Sequence, residues 1–116
     1  MDEWGNFPRE CTRLIDLAEK TGNAILLSGN VHFAEISRLA APGGLVKLTS
    51  SGMTHTNELY AKAPNSHRIA GPSIDLNFGL VEIDWESGLV VLSASTDDGK
   101  NIFAYELSIR SLAAPR

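Results

Sequence analysis

The sequence predicts a mixed α/β (α+β) domain, a helix–strand unit followed by an antiparallel β-meander. Three observations predict it. Cys11, Leu14, Ile15 and Ala18 recur at i, i+3, i+4 and i+7, the spacing of one helix face. A short apolar run at 24–28 ends abruptly in Ser28-Gly29. Three strand-like segments, 78–84, 89–96 and 102–109, are separated by Glu86-Ser87-Gly88 and by Asp97-Asp98-Gly99-Lys100, both good hairpin turns.

The elements follow in order. Asn6-Phe7-Pro8 reads as a helix start, because Asn6 offers an acceptor to an unpaired amide and proline is tolerated in the first turn. Polar residues from Arg9 to Lys20 fill the rest of the helix surface, and Cys11 reads as a small buried hydrophobe. Gly22 stops the helix. Residues 24–28 are too few and too uniformly apolar for a helical stripe, so they read as a buried strand. Gly29 then allows the chain to turn. The stretch 33–39 fits a short helix and an irregular strand equally and stays open between them. Ala41-Pro42-Gly43-Gly44 is a turn, and 45–50 a second strand rich in apolar and β-branched residues. Residues 51–77 read as mostly irregular, because Ser51-Gly52, Pro64-Asn65, Gly71-Pro72-Ser73 and Asn77 all favour turns. So long a loop in a compact domain points to function. In the meander, Val81 and Ile83 oppose Leu80 and Glu82, and Phe103, Tyr105 and Leu107 oppose Ala104 and Glu106, so at least one face is packed. Residues 112–116 read as a frayed tail.

The 116 residues amount to one domain or part of one. A net charge of −4, with lysine and arginine scattered, carries no nucleic-acid-binding signature. No apolar run is long enough to span a membrane, and residues 1–5 have none of the apolar core of a secretory signal, so no compartment is indicated. Cys11 is the single cysteine, which leaves neither an internal disulfide nor a CxxC metal knuckle.

Few residues are equipped for chemistry: Asn30, His32, Glu35, Thr54, His55, His67, Arg68 and Asn77. No GxSxG, GxxxxGK[ST] or GxGxxG is present, which argues against a serine hydrolase and against the usual nucleotide cradles. Asn30 and His32 stand where a strand leaves a sheet, the edge at which layered α/β proteins hold ligands. A neutral imidazole there is a good transition-metal ligand, and an amide oxygen two residues away reaches the same cluster. Glu35, three residues on, is a further metal ligand or a partner for the imidazole; its competing reading is a solvated carboxylate. His55 lies on a second strand exit, and Arg68 has the planar fork that clamps phosphate. The competing readings are a backbone-bonded loop histidine and an ordinary surface arginine.

Taken together, several blocks are similar to a known family. Asp2-x-Trp4 with Phe7-Pro8, Arg13-Leu14-Ile15 and Leu27-Ser28-Gly29-Asn30-Val31-His32-Phe33-Ala34-Glu35 come first. Leu48-Thr49-Ser50-Ser51-Gly52-Met53-Thr54-His55, Asn65-x-His67-Arg68 and 77–85 follow in the same order. Over residues 2–109 the chain resembles the C-terminal part of the PhoD-like alkaline phosphatases, within the calcineurin-like metallophosphoesterase superfamily. The resemblance implies the C-terminal half of a four-layer αββα sandwich and a two-metal hydrolase of phosphate monoesters or diesters, using iron and/or calcium or other divalent ions. It implies metal-ligand and catalytic roles for His32 and Asn30, and phosphate contacts for His55 and Arg68. Family members read Ser-Gly-Asp-Val-His where this chain has Ser28-Gly29-Asn30-Val31-His32, so Asn30 brings no negative charge to the site. The superfamily's upstream ligand motifs, of the Asp-x-His, Gly-Asp-x-x-Asp and Asn-His-Asp kinds, are not in the chain. The expectation is therefore a single partial domain over 1–116, inactive alone, with an exposed half-core open to association. The alternative is a non-catalytic remnant or interaction module on the same scaffold.

Overall fold

The computed structural model describes residues 6–39, 44–62 and 64–112. It is an α+β structure with a four-stranded and a three-stranded sheet. Helix α1 (Pro8–Thr21) begins with proline in its first turn and ends at Gly22, whose φ of 69° is left-handed and whose N–H reaches Ala18 O. The N-cap position is Phe7, with no side-chain cap bond, so Asn6 does not cap the helix. The apolar stripe is present, yet no residue of α1 is buried; Cys11 is only half-buried, and Leu14 and Leu17 are exposed. The stripe has the right period, but nothing in the described fold closes over it.

The first sheet holds β1 (Ile25–Ser28), β2 (Ala34–Arg38), β3 (Val46–Ser50) and β4 (Arg68–Ser73), in the order β1-β3-β2-β4. β1 runs parallel to β3, and β2 is antiparallel to both β3 and β4. β1 is an edge strand rather than a buried one, and Leu27 is 65% exposed. The open stretch at 33–39 resolves as strand, because β2 is paired on both sides. β4 is a strand within the segment expected to be irregular. Its Gly71-Pro72 suits an edge, where a missing amide donor breaks no ladder. Two register shifts against β2 show the chain bulging there, and Gly71 has φ 83°. A Cβ on Gly71 would lie 2.6 Å from Ala34 O, so the close approach requires glycine.

The meander is present as expected: β5 (Asn77–Asp84), β6 (Leu89–Thr96) and β7 (Asn101–Ser108), all antiparallel. In its first turn Asp84 Oδ1 accepts from Glu86 N and Ser87 N at 3.0 and 3.2 Å. The Ser87 amide first, then the Ser87 hydroxyl and the Glu86 amide, hold the exposed Asp84 carboxyl below its ordinary range. Ile36, Val46 and Leu48 from one sheet pack on Val90, Leu92 and Leu107 from the other, with Val81, Phe103 and Tyr105 beside them. Each large apolar side chain buried there contributes about 1.5–3 kcal/mol by area. A short helix α2 (Glu58–Ala61) follows β3; Asn57 Oδ1 accepts from Leu59 N at 3.0 Å in its first turn. Leu112 ends a 3-10 turn, Ile109–Leu112, and the rest of the expected tail lies outside the described residues. Most of the expected 41–44 turn lies outside them as well.

Candidate functional site

β1 and β3 are parallel, so both leave the sheet at the same end. That topology brings two exit loops together: residues 29–33 after β1, and 51–57 after β3. Gly29 does not make the first turn by a left-handed φ. Asn30 (φ 71°) and His32 (φ 60°) occupy that region instead. Positive φ is uncommon outside glycine, and asparagine and histidine are among the residues that adopt it most readily. The loop is tied down by its carbonyls. Asn57 N donates to His32 O at 2.9 Å, and Ser51 N donates to Phe33 O at 3.2 Å.

The consequence is the pairing of the two expected histidines. The His32 and His55 rings meet edge to face with centroids 4.2 Å apart, although they are 23 positions apart in the chain. Both line a cleft of about 310 Å³, together with residues 50–54 and 77–79. Thr54 Oγ1 lies 3.0 Å from His55 Nδ1. When Nδ1 carries the proton and donates to that hydroxyl, Nε2 presents its lone pair outward.

Deeper in the cleft is a polar clasp between the sheets. Ser50 Oγ donates to Asn77 Oδ1 at 2.6 Å, and Asn77 Nδ2 donates to Asp75 O at 2.9 Å. Asn77 is 2% exposed. The part of Ser50 was not visible in the sequence, where a serine at a strand end has no distinguishing signal.

The other expected site residues lie elsewhere. Asn30 is exposed on the loop crest and does not line the cleft. Glu35 is neither solvated nor turned to His32. It is 4% exposed, and its Oε2 pairs with Arg68 Nε at 2.5 Å. Its Oε1 accepts from Asn65 Nδ2 at 3.0 Å, and Asn65 Nδ2 also reaches Ser37 Oγ at 2.8 Å. Arg68 therefore serves a buried ion pair and does not line the cleft. It stands opposite Ser37, three residues along β2 from Ala34 at the cleft end, about 10 Å away by strand rise. His67 is exposed and also outside the cleft.

The donor set suits part of a metal site. Two imidazoles favour a borderline cation such as ferrous iron or zinc over the oxygen-preferring manganese. Among the described residues, no group of three or more His, Cys, Asp or Glu converges. The residues lining the cleft include no carboxylate, so the oxygen shell that calcium requires is not supplied there. Compared with the sequence profiles of known families, with curated proteins and with solved structures, the chain matches none.

Proposed function

We propose that this chain supplies part of the active site of a metal-dependent phosphate-ester hydrolase of the PhoD-like kind. The finer architecture belongs to the same proposal: the two sheets form the C-terminal half of a four-layer αββα sandwich. The observation that carries the reading is the meeting of His32 and His55 at the mouth of a cleft built from two parallel-strand exits. Of the two metal ions in the family-like site, these imidazoles would hold one. A cation there supplies Lewis-acid polarisation of a phosphoryl oxygen. His32 is fixed by its own backbone carbonyl, bonded to Asn57, and Thr54 sets the ring of His55. The small polar lining, Ser50, Ser51 and Thr54, leaves room for a phosphate-ester small molecule. In this reading Asn30, exposed two residues before His32, meets a substrate or a second cation without charge of its own.

The test combines calorimetric titration with manganese, ferrous iron and zinc and an aryl-phosphate hydrolysis assay. The expected result is binding of one of these metals by the isolated chain, lost in His32→Ala and in His55→Ala, with no turnover. Metal binding unchanged by both substitutions sinks the site. Metal-dependent turnover that disappears in His32→Ala supports the chemistry and overturns the expectation that this chain is inactive alone.

A second reading, an interaction module, is favoured by the exposure of Leu14, Leu17 and Leu27 on an uncovered helix stripe and an edge strand. It calls for self-association or partner binding without metal dependence.

A further inference from the structure

We infer that Asn77 is a positioning residue whose buried side chain sets the His55 loop and so fixes the distance between the His32 and His55 rings. The inference builds on the proposed site, but the ring contact it explains is a property of the fold.

Asn77 opens β5, in the second sheet, yet it is bonded to the loop that leaves β3 in the first. Its N–H donates to Gly52 O at 3.0 Å, an isolated antiparallel bridge. Its Oδ1 accepts from Ser50 Oγ at 2.6 Å, just before that bridge. Its Nδ2 is spent on Asp75 O at 2.9 Å, which locks the amide orientation. The chain then winds closely past this amide. A Cβ on Gly52 would lie 2.6 Å from Asn77 Nδ2, 2.9 Å from Thr56 Cγ2 and 3.4 Å from His55 O. Asn77 therefore grips the start of the loop at Ser50 and Gly52, the turn to Thr56 closes tightly over Gly52, and His55 is carried on that turn. A leucine of similar bulk fills the space but can neither accept from Ser50 nor hold Asp75. A buried amide with both ends bonded is a specific solution, because an unbonded one is costly.

The His32 loop is held at the two ends of the same segment, by Ser51 and Asn57. Moving the 52–55 turn between those anchors changes where His55 stands against His32, while the β5–β7 pairing from Phe78 onward does not pass through that turn. Groups bonded directly to a metal-ligating histidine alter metal affinity about 10–100-fold when mutated, and displacing the loop that carries a ligand is expected to cost at least the lower figure.

The experiment uses Asn77→Asp, which keeps the shape and exchanges the Nδ2 donor for an acceptor, and Ser50→Ala, which leaves Asn77 in place and removes the hydroxyl that donates to it. Proton NMR reads the cross-relaxation between the two imidazole rings, and amide spectra of β6 and β7 report whether the meander is folded. Manganese, ferrous iron and zinc titrations follow on the same samples. The expected result for both variants is a native-like meander, a lost or much weakened ring-to-ring signal and, where wild type binds a metal, at least a tenfold loss of affinity for it. A persistent ring signal in either folded variant overturns the inference. So does unfolding of the meander in both, which makes Asn77 a general support of the fold. If the wild-type chain binds no metal but the ring signal still depends on Asn77, the positioning role stands and the proposed metal site falls.

Discussion

Arg68→Ala distinguishes a buried ion pair from a surface arginine waiting for phosphate. In the structure the Glu35 side chain is 6% exposed and that of Arg68 19%, with Nε and Oε2 2.5 Å apart. Removing the guanidinium leaves the carboxylate with Asn65 Nδ2 at 3.0 Å and Ser37 Oγ at 3.5 Å, neither charged. Breaking a buried pair from one side costs about 3–5 kcal/mol, and the partial exposure of Arg68 puts the expectation near the lower end, about 3 kcal/mol. An unfolding entropy of about 2.1 cal/mol/K per residue gives roughly 0.24 kcal/mol/K for 116 residues, so the melting midpoint falls by about 12 °C. Urea denaturation followed by far-ultraviolet circular dichroism measures it, with an unchanged m-value as the check that the denatured state is the same. Arg68→Lys recovers part of the loss, because an ammonium restores charge without the fork. A loss below about 1 kcal/mol, the worth of an exposed pair, refutes the reasoning and returns Arg68 to the surface.

Three further outcomes are expected. Ile36→Ala empties the middle of the inter-sheet core, where Ile36 is 0% exposed, and lowers stability by about 2–5 kcal/mol in the same urea assay. The depressed Asp84 carboxyl ties stability to pH: its contribution is fully present above the unfolded value of 3.8 and is lost as pH falls through the lower folded value, so Asp84→Asn flattens the acid limb of a stability–pH curve below about pH 4. Asn30→Asp adds a negative charge to the loop that carries His32 and tightens cation binding in calorimetric titration, provided the site operates as proposed; an unchanged affinity removes Asn30 from it.

What was legible in the chain was local. Pro8 and Gly22 bracket α1, and the turns at Asp84–Gly88 and Thr96–Lys100 close the hairpins, because those signals act over a few residues through backbone geometry and side-chain bonds. Alternation alone set Val81 against Leu80 and Glu82 in one strand, and Phe103, Tyr105 and Leu107 against Ala104 and Glu106 in another; strand pairing decided that these four share the face that packs on the core. His32 and His55 could each be singled out at a strand exit. That they would touch could not, because the distance between two loops depends on β1 and β3 lying parallel and adjacent.

The misread elements share a cause. Gly71-Pro72-Ser73 carries turn chemistry, yet β4 forms because it lies at a sheet edge, where a bulge and a missing donor are tolerated. Glu35, open between a metal ligand, a partner for the imidazole and a solvated carboxylate, lies with Ser37 in a segment that fits helix and strand equally. They are buried because Asn65 and Arg68, about 30 residues later, fold back to satisfy them. The amino-acid order by itself thus determined helix limits, hairpins and the identity of the two imidazoles, since each is set by interactions between near neighbours. Only the tertiary structure decided which strands are edges, which charges are paired and how close the histidines stand, since those depend on contacts closed across long stretches of chain.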